Sequence, residues 1–87
     1  YILTNQLLRS ATSIGANVIE AKSSTYKKDF NRFYDLALRS VNETEYWLRL
    51  TKDAMGITGN EITYLLKEIK DISRMVTASL IAVKNKK

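Results

Sequence analysis

Polar side chains follow one face of the first amphipathic segment of the chain, the sequence QLLRSATSIGANVIEA over residues 6–21. At about 100° per residue, this face brings together short hydrogen-bonding groups, one guanidinium and one carboxylate. A buried polar group left without a partner costs about 1–3 kcal/mol. These residue types therefore favour a covered hydrogen-bonded network or a subunit contact, with a solvated face and a ligand site as the alternatives. The residues are Gln6, Arg9, Ser13, Asn17 and Glu20, with Glu43 and Trp47 of the next helix as expected partners.

Two lines of basic residues could contact the phosphates of a nucleic acid, with binding driven mainly by counterion release. Three cations fall within about 40° on the second predicted helix, and three within about 60° on the third. Asp35 and Asp71 interrupt the lines and can pair with Arg39 and Lys67. A single chain thus offers a diluted basic patch, and solvated helix faces are the favoured interpretation of these lines, with nucleic-acid contact as the alternative. The lines are Lys28, Arg32 and Arg39, followed by Lys67, Lys70 and Arg74.

Catalytic chemistry has little support in this sequence. The chain has neither Cys nor His, which excludes a thiolate nucleophile and removes the commonest general base and zinc ligands. Glu43 has acidic neighbours such as Glu45, but no nucleophile motif or glycine-rich phosphate loop accompanies them. We therefore expect no enzymatic activity, no metal and no cofactor.

The net charge of +5 permits an anionic partner, although composition alone favours ordinary solubility charge as its explanation. No apolar run approaches the roughly 20 residues that span a bilayer, and no signal peptide opens the chain. The expectation is a cytoplasmic protein without a membrane segment.

The composition and hydrophobic periodicity predict an all-α domain over residues 1–87. There is no Pro and there are only three Gly, so long helices are permitted. Apolar residues recur at helical spacing over about 4–22, 26–55 and 59–84. Thr4 is the predicted cap of the first helix, Ser24 or Thr25 that of the second, and Thr58 with Glu61 form a capping box for the third.

The apolar surface of the second helix is too wide for one neighbour. A main stripe includes Tyr26, Phe30 and Phe33, and a second line through Leu36 and Trp47 lies about 100° round the helix. The second helix should therefore lie centrally between two antiparallel neighbours. A further helix before the first residue, or self-association, would cover the remaining apolar surface. The more exposed aromatic residues are predicted to be Tyr34, Tyr46 and Tyr64.

The motif over residues 6–21, together with KDF at 28–30, AL at 37–38 and ET-YWLRL at 43–50, resembles the bacterial four-helix bundle proteins. That family includes proteins encoded in intervening sequences of large-subunit ribosomal RNA genes and accessory proteins of diversity-generating retroelements. The resemblance implies an antiparallel up-down bundle of the four-helix type, assembled as a homopentamer. The three helices would be the second to fourth of the family pattern, with the first one missing. Arg39-Ser40 departs from the family's pattern of a basic residue followed by Glu.

Two hypotheses of function remain open at this point. The first is a non-catalytic oligomeric scaffold that binds RNA or DNA through its basic surfaces, as retroelement relatives do together with a reverse transcriptase. The second is a protein–protein adaptor ring without nucleic-acid affinity. Charge reversal of Lys67, Lys70 and Arg74 distinguishes them, since it would abolish RNA retention in the first case and leave the assembly of an adaptor intact.

Overall fold

A computed structural model describes residues 2–55 and 60–84, which form three α-helices and no strand. They are α1 (Ile2–Lys22), α2 (Lys27–Met55) and α3 (Asn60–Lys84). The all-α prediction is confirmed, and the predicted helix bounds agree to within two residues. The predicted cap at Thr58 lies outside the described residues.

The first two helices begin at residues other than the predicted caps. Helix α1 begins at Ile2, so Thr4 lies inside the helix rather than at its cap. At the start of α2, the amides of Asp29 and Phe30 both donate to the Tyr26 carbonyl at 3.1 Å, which places Tyr26 at the cap position. The Ser24 hydroxyl instead donates to the Glu20 carbonyl at 2.8 Å and closes the end of α1.

The three helices form an open layer with α2 in the middle. Helix α2 packs against both α1 and α3, whereas no Cα atom of α1 comes within 8 Å of one in α3 over the described residues. The Cα extents are 48 × 21 × 13 Å, so the layer is thin in one direction. The radius of gyration is 14.4 Å, compared with about 12 Å for a compact domain of this length. The prediction of a central second helix with two neighbours agrees with this arrangement.

A small core joins the layer along the inner side of α2. Its buried members on α2 include Ala37, Val41 and Leu48, and α1 contributes Ala21. The stripe of α3 packs against them through Ile62, Leu66, Ile69, Val76 and Leu80. The periodic stripes of the sequence therefore face this core, as amphipathic helices require.

Two tyrosines of the second helical segment have the opposite burial to the one predicted. Tyr34 is only 5% exposed, and its ring lies 4.5 Å from that of Phe30, because two neighbours cover a wider arc of α2 than one stripe. Tyr26 is 70% exposed, because it precedes the first turn of α2 and no neighbouring helix covers it. Tyr46 and Tyr64 are exposed as predicted.

A buried pair of hydroxyl groups connects α1 to α2 inside the core. The hydroxyl oxygens of Thr44 and Ser10 lie 3.0 Å apart, and both residues are almost inaccessible to solvent. The Ser10 hydroxyl lies 3.1 Å from the Leu7 carbonyl, and Thr44 Oγ1 lies 2.7 Å from the Ser40 carbonyl. Each hydroxyl proton therefore has an acceptor within the core.

Replacing one member of this pair should destabilise the protein more than replacing both. Thr44→Val leaves Ser10 without its partner and should lower the free energy of unfolding by about 1–2 kcal/mol, whereas Ser10→Ala with Thr44→Val should recover most of that loss. Urea unfolding of the two single variants and the double variant measures the coupling. Strictly additive losses would contradict an energetically coupled pair.

One side of the layer carries a wide apolar groove, with α2 as its floor and α1 and α3 as its walls. The groove has a volume of about 610 Å³ and is lined by residues of all three helices. The protein exposes 6231 Å² of accessible surface, whereas a compact protein of 10.0 kDa exposes about 5,200 Å².

Candidate functional site

The polar face of α1 forms an edge along α2 on the flank opposite the groove. Arg9 forms an ion pair with Glu43 of α2, and its Nε donates to Gln6 Oε1 at 3.0 Å. The indole Nε1 of Trp47 donates to the same Glu43 carboxylate at 2.9 Å. The edge thus connects both helices through one carboxylate that accepts from two donors.

The remaining members of the predicted network bond within their own helix. The Ser13 hydroxyl donates to the Arg9 carbonyl at 2.9 Å, and Asn17 Nδ2 donates to the Ser13 carbonyl at 2.8 Å. Glu20 is exposed. The structure therefore brings Gln6, Arg9, Glu43 and Trp47 together, whereas the hydrogen bonds of Ser13 and Asn17 stay within α1.

Within a single chain this edge faces solvent. The side chains of Arg9 and Glu43 are 55% and 37% exposed, so their ion pair contributes little to folding by itself. Next to it, Leu36, Trp47 and Leu50 are half-buried along one line of α2. Apolar side chains beside an organised polar group are typical of surfaces that contact another protein.

The basic line of α2 surrounds a shallow cleft on the outer side of that helix. Lys28, Arg32 and Arg39 line it together with Asn31 and Asp35, and the cleft has a volume of about 350 Å³. All three cations are exposed. The guanidinium carbon of Arg32 also lies 4.7 Å from the centre of the Phe33 ring, which holds this side chain against the helix.

The basic line of α3 is more scattered and partly neutralised. Lys67, Lys70 and Arg74 are exposed, but Arg74 is paired with Asp71 one turn earlier. The expected partner of Asp71 was Lys67, but an i,i+3 pair with Arg74 forms instead. Both basic lines lie roughly 140–180° round their helices from the mean direction of the groove-lining residues, on the far side of the layer.

Sequence reasoning did not identify the cleft itself or the Ser10–Thr44 contact. Ser10 lies within about 40° of Ile14 and Ala21 on the helical wheel, which was a signal for its burial. In residues 2–55 and 60–84, no group of three or more acidic side chains is placed to hold a metal ion. Of the helices described here, none is long and apolar enough to span a membrane.

These features define an all-α helical-bundle protein with separate apolar, basic and polar surfaces. Residues 1–78 match the family of 23S rRNA-intervening sequence proteins, and the chain belongs to that family. This finding confirms the resemblance identified from the motifs.

A solved structure has the same fold. It is a protein of unknown function from the S23 ribosomal protein family of Bacteroides thetaiotaomicron VPI-5482. The two chains share 34% sequence identity with a TM-score of 0.87, over 92% of this chain and 71% of that one. No curated protein matches the chain.

Proposed function

We propose that this protein is a non-catalytic scaffold that self-associates and holds RNA on the outer face of α2. The observation that carries the proposal is the cleft in which Lys28, Arg32 and Arg39 converge. Cations that converge on one cleft can contact successive phosphates of one strand, whereas isolated surface cations do not. The family name associates its members with ribosomal RNA genes, which is consistent with an RNA partner but does not specify one.

The binding should depend on charge more than on sequence. Phosphate contacts position a nucleic acid without reading its bases, and the exposed tyrosines of the described chain form no ordered stacking platform. Binding to this face therefore requires only a flexible polyanion, and RNA and DNA should differ little in affinity.

A salt titration tests this proposal. The probe is a fluorescently labelled single-stranded RNA of 30 nucleotides, with a scrambled RNA and the corresponding DNA as comparisons. Three phosphate contacts predict a loss of affinity of roughly 20-fold between 50 and 200 mM salt. Fluorescence anisotropy measures it. No binding at 50 mM salt would exclude the proposal and favour the adaptor function.

Self-association should use the edge formed by Arg9, Glu43 and Trp47. A second chain can cover this ion pair and the half-buried apolar side chains beside it, because the polar groups of the edge are already bonded to one another. The five subunits implied by the family resemblance require such a surface on every chain, and any closed ring repeats it symmetrically.

Reversing the charge of Arg9 should reduce the mass of the assembly. Arg9→Glu places two carboxylates together at the edge, whereas Arg49→Glu alters an ion pair with Glu45 within α2 and serves as the matched control. Light scattering should show smaller particles only for the Arg9 variant, with unchanged helix content by circular dichroism. Equal masses for both variants and the unmodified protein would contradict the assignment of this edge.

A further inference from the structure

The outer face of α2 carries an exposed aromatic ring in line with the cations of the cleft. At about 100° per residue, Tyr46 lies at the same angle around α2 as Lys28, and within about 40° of Arg32 and Arg39. It follows Arg39 by two turns, or about 10 Å along the helix axis. Tyr46 is 57% exposed. The row of cations therefore continues into an accessible ring.

The other exposed tyrosines lie away from the basic lines. Tyr26 is 70% exposed, but its cap position is about 140° round the helical wheel from the mean direction of the α2 cations. Tyr64 is 61% exposed and lies roughly 90° round α3 from the mean direction of its basic line. Among the exposed tyrosines of residues 2–55 and 60–84, Tyr46 is therefore the one that shares a face with a basic line.

The ring of Tyr46 is supported by its neighbour in the sequence. The ring centres of Tyr46 and Trp47 lie 5.0 Å apart with an interplanar angle of 70°, which is an edge-to-face contact. The indole of Trp47 is fixed in turn, because its Nε1 donates to Glu43, which is paired with Arg9 of α1. An edge-to-face contact covers at most one face of the Tyr46 ring. The other face is available for stacking on a ring that is already positioned, which reduces the entropy lost on binding.

Charge along this face of α2 separates positions for phosphates from a position for a base. After Arg39, the residues of α2 within about 40° of the mean direction of the cations are Glu43, Tyr46, Leu50 and Asp53. None of them is a cation, and the exposed Asp53 repels a phosphate beyond the ring. A strand whose phosphates follow the three cations therefore brings a base, rather than a phosphate, to Tyr46.

We propose that Tyr46 stacks on one unpaired base of a strand whose phosphates lie along the cleft, so that this face of α2 selects single-stranded nucleic acid over a duplex. This inference rests on the proposed nucleic-acid function and specifies the class of strand that the site binds. The cleft by itself requires only phosphates, and one ring is not a platform for successive bases. The ring adds a contact that any base can make, because every base has a π-face. A base within a duplex is already stacked and paired, and must leave the duplex before it reaches the ring.

A strand without bases separates the contribution of the ring from that of the cations. The probes are a fluorescently labelled single-stranded DNA of 30 nucleotides and an abasic strand of the same length, which carries the same phosphates. One stacked base is worth roughly 5–150-fold in affinity, so the strand with bases should bind at least fivefold more tightly. Fluorescence anisotropy at 50 mM salt measures both affinities.

Replacement of the ring should remove this difference. Tyr46→Ala should weaken binding of the strand with bases at least fivefold, without changing the affinity for the abasic strand or for a duplex. Tyr46→Phe keeps the aromatic face and should bind like the unmodified protein. Tyr64→Ala is the matched control, because its ring is exposed to a similar extent on α3, and it should change none of the affinities. All three changes are at exposed positions, so the helix content by circular dichroism should stay the same.

The single tryptophan of the chain provides an optical readout at the same position. Because the rings of Trp47 and Tyr46 are 5.0 Å apart, a base stacked on Tyr46 should quench the emission of Trp47. The abasic strand, held only by the cations, should leave this emission unchanged. The quenching should saturate at the same strand concentration as the anisotropy.

Four results would overturn the proposal. Equal affinities for the two strands, with no effect of Tyr46→Ala, would exclude the stacked base and leave the proposed function of the cleft intact. Equal losses in Tyr46→Ala and Tyr64→Ala would show that no particular ring is used. A loss in Tyr46→Phe as large as that in Tyr46→Ala would assign the contact to the hydroxyl group. Binding of neither strand nor of the duplex would exclude this proposal and the proposed function together.

Discussion

Changing Lys28, Arg32 and Arg39 together to Glu should abolish RNA retention while leaving the helix content unchanged. All three side chains are exposed around one cleft, so their replacement removes phosphate contacts without disturbing the core. Each cation lost also removes a released counterion, which should make the remaining affinity less dependent on salt. Anisotropy with labelled RNA should show at least a tenfold weaker affinity at 50 mM salt.

The matched control is the same reversal on α3, with Lys67, Lys70 and Arg74 changed to Glu. The two triple variants have the same net charge, so any difference between their RNA affinities reports the location of the replaced cations rather than the total charge. Because Arg74 is already paired with Asp71 and the three cations spread over a wider arc of their helix, the loss of affinity should be smaller. Equal losses would mean that a general electrostatic field, rather than the α2 cleft, holds the RNA.

Leu48→Ala should have the largest effect on stability. Leu48 is 4% exposed, belongs to the buried core and forms part of the groove floor. Truncating a buried leucine costs about 2–5 kcal/mol, which is a large share of the stability available to a small domain. Urea or thermal unfolding followed by circular dichroism should show this loss.

Leu8→Ala provides the comparison on the groove wall. Leu8 is 63% exposed, so its truncation in the 87-residue chain should change the free energy of unfolding by no more than about 0.5 kcal/mol. A large effect of Leu8→Ala would mean that the groove side is already covered, for example by self-association.

Local patterning was sufficient to locate the three helices. Apolar residues at helical spacing and the absence of Pro predict α1 to α3 to within two residues at each described end. The contact between Arg9 and Glu43 was also expected from the polar face of α1, because residues on one face of a helix share one neighbour. The helix caps were less predictable, since Tyr26 rather than Ser24 or Thr25 occupies the start of α2.

The burial of particular side chains depended on how many helices surround each one. A helical wheel places Tyr34 off the main stripe, yet the neighbours of α2 cover this side chain. Tyr26 lies on the stripe but is exposed, because it precedes the first turn of α2 and no neighbouring helix covers it. The cleft around Lys28, Arg32 and Arg39 likewise required actual side-chain positions, because angular proximity on a wheel does not define a concave surface.

The class of fold and the family follow from the amino-acid sequence, because helix formation and the motif of α1 depend on residues near one another in the chain. The open groove, the buried Ser10–Thr44 contact and the separation of basic and apolar surfaces depend on tertiary packing. They arise because α1 and α3 both pack on α2 without meeting each other over the described residues, an arrangement that no local periodicity specifies.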